Sequence, residues 1–212
     1  MTFYRRNLPH LQPAGAEYFI TFRLANSLPK KAIERLKKER ELLFNEYSQG
    51  DNDKSHREVN RRIFKKYEEQ LVKNNRGPTW LKDAPIAKIV EGAIHFRDNQ
   101  EYELYAYCIM PNHVHLVFKH LTNKVKQEPD EYPVTKILAS LKKYTSKHCN
   151  IALNRTGNAF WQDESYDHVI RDTEELRRII FYTLHDPVKS GFVDDWQDWE
   201  HSYCKSEFRD LS

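Results

Sequence analysis

Residues Tyr105–His120 read YAYCIMPNHVHLVFKH, and this stretch decides the fold. Tyr105 to Ile109 is rich in aromatic and β-prone side chains, Met110-Pro111-Asn112 supplies a turn, and Leu116, Val117 and Phe118 continue an apolar run. Two such runs around a short turn predict a β-hairpin. Side chains alternate faces along a strand, so His113 and His115 point one way and Val114 the other. Two imidazoles on one strand face form a clamp for a divalent metal. Taken alone, the same pair also reads as two hydrogen-bonded, half-buried histidines.

Working outward, Glu17 to Leu24 (EYFITFRL) reads as a first strand. From Lys30 to Tyr47, Ile33, Leu36, Leu43 and Tyr47 fall on one helical stripe. A second helix repeats Val59, Ile63, Tyr67 and Leu71 after the break at Gln49-Gly50-Asp51-Asn52-Asp53. The two predict an antiparallel helical hairpin inserted over about residues 30–76. Ile86, Ile89, Val90, Ala93 and Ile94 give an amphipathic helix over Pro85 to Phe96, and the polar stretch from Leu121 to Tyr132 reads as a loop. Pro133 to Asn150 predicts a helix with Val134, Ile137, Leu138 and Leu141 inward and Lys136, Lys142, Lys143 and Lys147 outward. Tyr166 to Arg171 is a fourth strand, and Asp172 with Glu175 three residues on resembles a capping box that starts the last helix.

The order βαββαβ plus a C-terminal helix predicts an α+β fold: a ferredoxin-like (RRM-like) antiparallel sheet with helices on one face. A chain of 212 residues fits one domain with insertions. At 39% hydrophobic and 31% charged residues, it offers no stretch apolar enough to span a bilayer, and the opening MTFYRRNLPH has no apolar run of the secretory kind. We expect no membrane partner and a cytoplasmic location. Cys108, Cys149 and Cys204 form no CxxC pair, which argues against a disulfide framework or a cysteine zinc site. A net charge of +3 permits nucleic-acid binding without demanding it.

In the last helix, Ile179, Ile180, Thr183 and Leu184 define the face that packs on the sheet, and Tyr182 lies on its flank. Asp186 follows Tyr182 by four residues, one turn along the same flank. Pro187 disfavours helical geometry at Asp186 and predicts that the helix ends there. Two imidazoles joined by an oxygen ligand suit Mg²⁺ or Mn²⁺ when a substrate adds phosphate oxygens.

The strings MPNHVHLV, WQDESYDHVIRD and YTLHDPVKSGFV, with the opening YRRNLPH and the strand YFITFRL, together resemble the single-tyrosine HUH transposases. The resemblance is strongest to the bacterial REP-associated tyrosine transposases. It runs from about Tyr4 to Val193 and is specific because separated motifs agree in order. It implies that His113 and His115 are the family's metal-binding pair, that Tyr182 is its nucleophile, and that Asp186 occupies the third ligand position. The family usually has Asn or Gln there, so the carboxylate is a departure. It adds a negative charge near the scissile phosphate. His168 reads as a hydrogen-bonded structural histidine, and Trp161-Gln162, which resemble a family motif, as anchors of the fourth strand.

The resemblance implies cleavage and rejoining of single-stranded DNA bearing a REP-type hairpin, through a 5′-phosphotyrosine and a free 3′-hydroxyl. Arg5, Arg6 and His10 near the N-terminus, with Lys142, Lys143 and Lys147, are the candidate DNA contacts. The alternatives are a non-catalytic, domesticated DNA-binding protein on the same scaffold, and metal-dependent hydrolysis without a covalent intermediate. Monomer and homodimer both remain open.

Overall fold

The computed structural model describes residues 13–47, 62–66, 69–70, 77–122 and 132–211. Among them, five strands form one sheet: β1 (Glu17–Arg23), β2 (Tyr102–Ile109), β3 (His113–His120), β4 (Tyr166–Ile170) and β5 (Ser202–Cys204), in the spatial order β4-β1-β3-β2-β5. Every pairing is antiparallel. The first four strands give the ferredoxin-like order that the sequence predicts, and β5 extends it at the edge of β2. No sequence pattern announced β5. Its three residues are too short to show alternation, and it exists because the open edge of β2 offers backbone groups to pair with.

The long helices are α1 (Lys30–Tyr47), α2 (Ala84–Arg97), α3 (Pro133–Ala152) and α4 (Thr173–Lys189). Alternation along the strands builds two cores. Tyr18, Ile20 and Phe22 of β1 join Val114, Leu116 and Phe118 of β3 under α2 and α3. Phe19 and Val117 point the other way and pack with Leu176, Ile180 and Leu184 of α4. The expectation of helices on one face is therefore corrected: α2 and α3 cover one face and α4 the opposite one. The physical reason lies in the central strands, which are apolar on both faces. Tyr18 to Arg23 and His113 to Phe118 are buried without a break, which requires a layer on each side.

Two further details differ from the expectation. A bulge falls between Leu104 and Ala106, so Tyr105 and Ala106 both join the α4 side. The last helix does not stop at Asp186 but continues to Lys189, with Pro187 inside it. A proline in the last turn removes a single intrahelical N–H, and the end is closed beyond it by Ser190 N–H to Asp186 O (2.9 Å) and Phe192 N–H to Pro187 O (2.9 Å). Gly191, at φ +72°, supplies the left-handed residue of that closure.

Between β1 and α2 the chain leaves the sheet through Ser27 and returns through Gly77, whose backbone lies against it. Residues 62–66 and 69–70 are helical, and Lys66 pairs with Glu39 of α1. Val59, Tyr67 and Leu71 of the predicted second helix, and most of the predicted loop at 121–132, lie outside the described residues.

Candidate active site

The site is assembled from three strands and one helix. β3 sits at the centre of the sheet, and its hairpin turn is pinned by Leu24 N–H to Asn112 O (2.9 Å) and Leu81 N–H to Pro111 O (3.2 Å). That fixes where β3 begins, and with it His113 and His115, which are 1% and 0% exposed on the α4 face. The helix α4 is started by Asp172, whose side chain accepts from Glu175 N–H (2.7 Å), and Glu175 reaches back to Arg171 N–H (3.0 Å). This variant of the capping box fixes the register in which Tyr182 and Asp186 meet the sheet.

The three candidate ligands converge. His113 Nε2 lies 3.1 Å from His115 Nε2 and 3.1 Å from Asp186 Oδ2, and His115 Nε2 lies 3.4 Å from the same oxygen. All three residues are buried. Their outer atoms are engaged as well. His113 Nδ1 is 2.6 Å from Asn112 Oδ1, an acceptor, so Nδ1–H donates there and Nε2 faces the centre of the triangle. His115 Nδ1 meets the Thr21 hydroxyl at 2.8 Å. These outer partners are of the kind that orient metal-ligating imidazoles.

The donor set fits a divalent cation. Metal–ligand bonds of about 2.0–2.2 Å at right angles place neighbouring donors roughly 3 Å apart, which matches the triangle. Asp186 Oδ1 is buried with no hydrogen-bond partner, an orphaned acceptor beside two imidazoles. Burial alone would raise the Asp186 carboxyl. Hydrogen bonds from His113 and His115, and their charge, outweigh it and hold the group well below the usual carboxylate range. Cys108, paired across the strands with His115, is fully buried, and burial first and the Asp186 charge second push its thiol well up. It is an inert wall of the site at neutral pH.

Tyr182 is half-buried beside this triangle, its ring centroid 5.6 Å from that of His115 at an edge-on angle of 64°. Phe19 lies 6.1 Å away and perpendicular, and Lys189 Nζ is 5.4 Å from the ring centroid. A phenol, two imidazoles and a carboxylate thus lie together on the α4 face of the sheet, a combination suited to nucleophilic displacement at phosphorus.

Other candidate residues fall elsewhere. Arg5, Arg6 and His10 lie outside the described residues. Lys143 and Lys147 are exposed on α3, across the sheet from the histidines. Lys142, also on α3, donates from Nζ to Gln162 O (2.9 Å) and Asp163 O (3.2 Å), tying α3 to the approach to β4. Trp161 packs edge-on against Phe22 and donates from Nε1 to the Thr145 hydroxyl (2.7 Å), a structural anchor. His168 pairs with Glu175 at 2.9 Å. The residues that the sequence reading missed are Thr21, Asn112 and Phe64. Asn112 had a signal in its place next to His113, and Thr21 in the β1 alternation. Phe64 had none.

A family model described as "Transposase IS200 like" matches residues 64–182, more than half of the chain. The match contains both histidines and ends on Tyr182, with Asp186 beyond it. A REP-associated tyrosine transposase of Escherichia coli strain K12 is 24% identical over 109 residues, covering 51% of this chain and 58% of that protein. A Haemophilus influenzae protein bearing the same class name is 26% identical over 111 residues, covering 50% of this chain and 60% of that one. The matched region thus spans about 60% of the length of these relatives. A solved structure of a REP-associated tyrosine transposase bound to a REP hairpin aligns at a TM-score of 0.51 and 19% identity, covering 95% of this chain and 82% of that one, a likeness of fold. With its histidine pair on the central strand and a sequence match that runs through that pair to Tyr182, this chain belongs to the IS200-like transposase family.

Proposed function

We propose that this protein cleaves and rejoins single-stranded DNA next to a REP-like hairpin, with Tyr182 as the nucleophile and His113, His115 and Asp186 as the ligands of Mg²⁺ or Mn²⁺. The observation that carries the reading is the approach of the Tyr182 ring to His115, 5.6 Å between centroids, with Asp186 one helical turn further on in the triangle. When bound, the divalent ion supplies Lewis-acid polarisation of a phosphate oxygen. The names of the two curated relatives and the hairpin bound to the solved neighbour support the choice of substrate.

In the reaction, the Tyr182 oxygen forms a bond to phosphorus and the bond from phosphorus to the 3′ oxygen breaks. The phenol gives up its proton, and the departing 3′ oxygen gains one. The products are a 5′-phosphotyrosine and a free 3′-hydroxyl, with the phosphodiester energy retained. Attack by a 3′-hydroxyl on the adduct reverses the step on the same or a new strand. Asn112 and Thr21 hold the imidazoles in place, and Asp186 sets its carboxylate against both Nε2 atoms.

Incubating the protein with labelled hairpin-bearing single-stranded DNA and Mn²⁺ should yield a covalent adduct. EDTA, His115→Ala and Tyr182→Phe should each abolish it. Cleavage that survives Tyr182→Phe but not His115→Ala would replace the transesterase reading with metal-dependent hydrolysis. Tight hairpin binding with no cleavage under any divalent ion would instead identify a binding protein on the transposase scaffold.

A further inference from the structure

The aromatic surroundings of Tyr182 include a side chain from outside the sheet and its covering helices. Phe64, in the helical residues 62–66 between β1 and α2, stacks on Tyr166 of β4 at 4.1 Å and 24°. It stands edge-on to Phe19 at 5.4 Å and 89°, and to Tyr182 at 6.2 Å and 65°. Two residues on, Lys66 is paired with Glu39 of α1, which ties this segment back to the neighbouring helix. Gly77, where the excursion returns, lies against Ser27, where it departs. Residues 62–66, tied to α1 through Lys66, thus lay an aromatic ring over the face that holds the candidate nucleophile.

We propose that Phe64 is a positioning residue for Tyr182, so that the helical residues 62–66 form part of the nucleophile's surroundings. The inference rests on the reading of Tyr182 as the nucleophile. A half-buried tyrosine on a helix flank can sample more than one side-chain rotamer, and displacement at phosphorus needs its oxygen held toward the reacting atom. His115 limits the ring on the sheet side, Phe19 limits it from β1, and Phe64 limits it from the remaining aromatic side. Edge-on ring contacts favour a defined relative orientation as well as apolar burial, which suits them to fixing a ring plane. Phe64 touches none of the three candidate ligands in these contacts; besides Tyr182 it meets Tyr166 and Phe19, whose ring is in turn stacked on that of His115 at 5.5 Å.

The test compares the native full chain with Phe64→Ala, Phe64→Leu and Phe64→Tyr. The readouts are the single-turnover rate of adduct formation at saturating hairpin DNA with Mn²⁺, and hairpin affinity in EDTA. Phe64→Ala should slow adduct formation by about tenfold to a hundredfold, the scale expected for a misaligned reacting group, with affinity within about twofold of native. Phe64→Tyr, which keeps the ring, should restore the rate to within about threefold, and Phe64→Leu, which keeps bulk without a ring plane, should not. A Phe64→Ala rate within about twofold of native overturns the proposal, as does a loss of rate matched by an equal loss of affinity. If Phe64→Ala does not fold, Phe64→Leu decides by the same criteria.

A second readout needs no activity. In protein labelled with 3-fluorotyrosine, the ¹⁹F resonance that Tyr182→Phe removes should shift in Phe64→Leu, and an unchanged resonance overturns the contact itself. If the native chain forms no adduct while this resonance does shift, the nucleophile reading has failed and the positioning role with it. If the native chain forms the adduct and Phe64→Leu leaves the rate unchanged, only the present inference has failed.

Discussion

At the scale of single residues, the site depends on donors whose second atoms are already committed. His113 gives Nδ1–H to Asn112 and His115 meets Thr21, so both Nε2 atoms turn toward Asp186. Conversely, several buried titratable groups serve the fold alone. Cys149 is fully buried beneath α2, with its Sγ 3.9 Å from Ile86 O, and burial pushes its thiol up to about 12. The folded pKa lies above the ordinary value of 9.0, so the folded state holds this proton more tightly than the unfolded chain does. Its stabilising contribution is complete below pH about 9 and is lost progressively as pH rises toward about 12. Urea unfolding midpoints should therefore fall between about pH 9 and 11, and Cys149→Ala should flatten that decline. An identical slope in the variant would remove Cys149 as a cause.

At the scale of elements, regular periodicity was legible and contextual structure was not. The helices α1, α2 and α3 and the hairpin of β2 and β3 follow their apolar spacing to within a few residues. Pro187 misleads because its restriction on Asp186 is a local preference, which the packing of α4 on the sheet overrides. The strand β5 and the bulge at Tyr105 leave no periodic trace, since each depends on a neighbouring strand. The excursion between β1 and α2 closes on a tight contact that the sequence marks only as a glycine. A Cβ on Gly77 would stand 2.8 Å from Ser27 Cα and 2.9 Å from Ser27 O, both backbone atoms with little room to yield. Gly77→Ala should cost about 1–3 kcal/mol of stability, seen as a lowered thermal midpoint. A midpoint equal to the native one would show that the two ends of the excursion part freely.

At the scale of the whole molecule, one sheet separates two tasks. The α2 and α3 side buries the larger apolar cluster, and the α4 side sets its smaller core around the ionisable triangle. Because β3 lies at the centre, the strand that holds His113 and His115 also contributes Val114, Leu116 and Phe118, each 0% exposed, to the opposite core. Phe118→Ala should therefore cost about 3–5 kcal/mol and lower all unfolding probes together. Separate transitions for the two faces would show that the layers fold independently. Among the described residues no helix is long and apolar enough to cross a membrane.

The sequence by itself determined the periodic elements, the shared face of His113 and His115, the one-turn spacing of Tyr182 and Asp186, and the family resemblance. These are local properties, set by the two-residue repeat of a strand and the 3.6-residue repeat of a helix. Only the tertiary structure decided that α4 crosses to the opposite face from α2 and α3, that Asp186 closes a triangle with two imidazoles, and that Phe64 reaches Tyr182. Each of these joins residues far apart in the chain, and their meeting depends on which apolar face finds which partner during packing, a choice that no local repeat encodes.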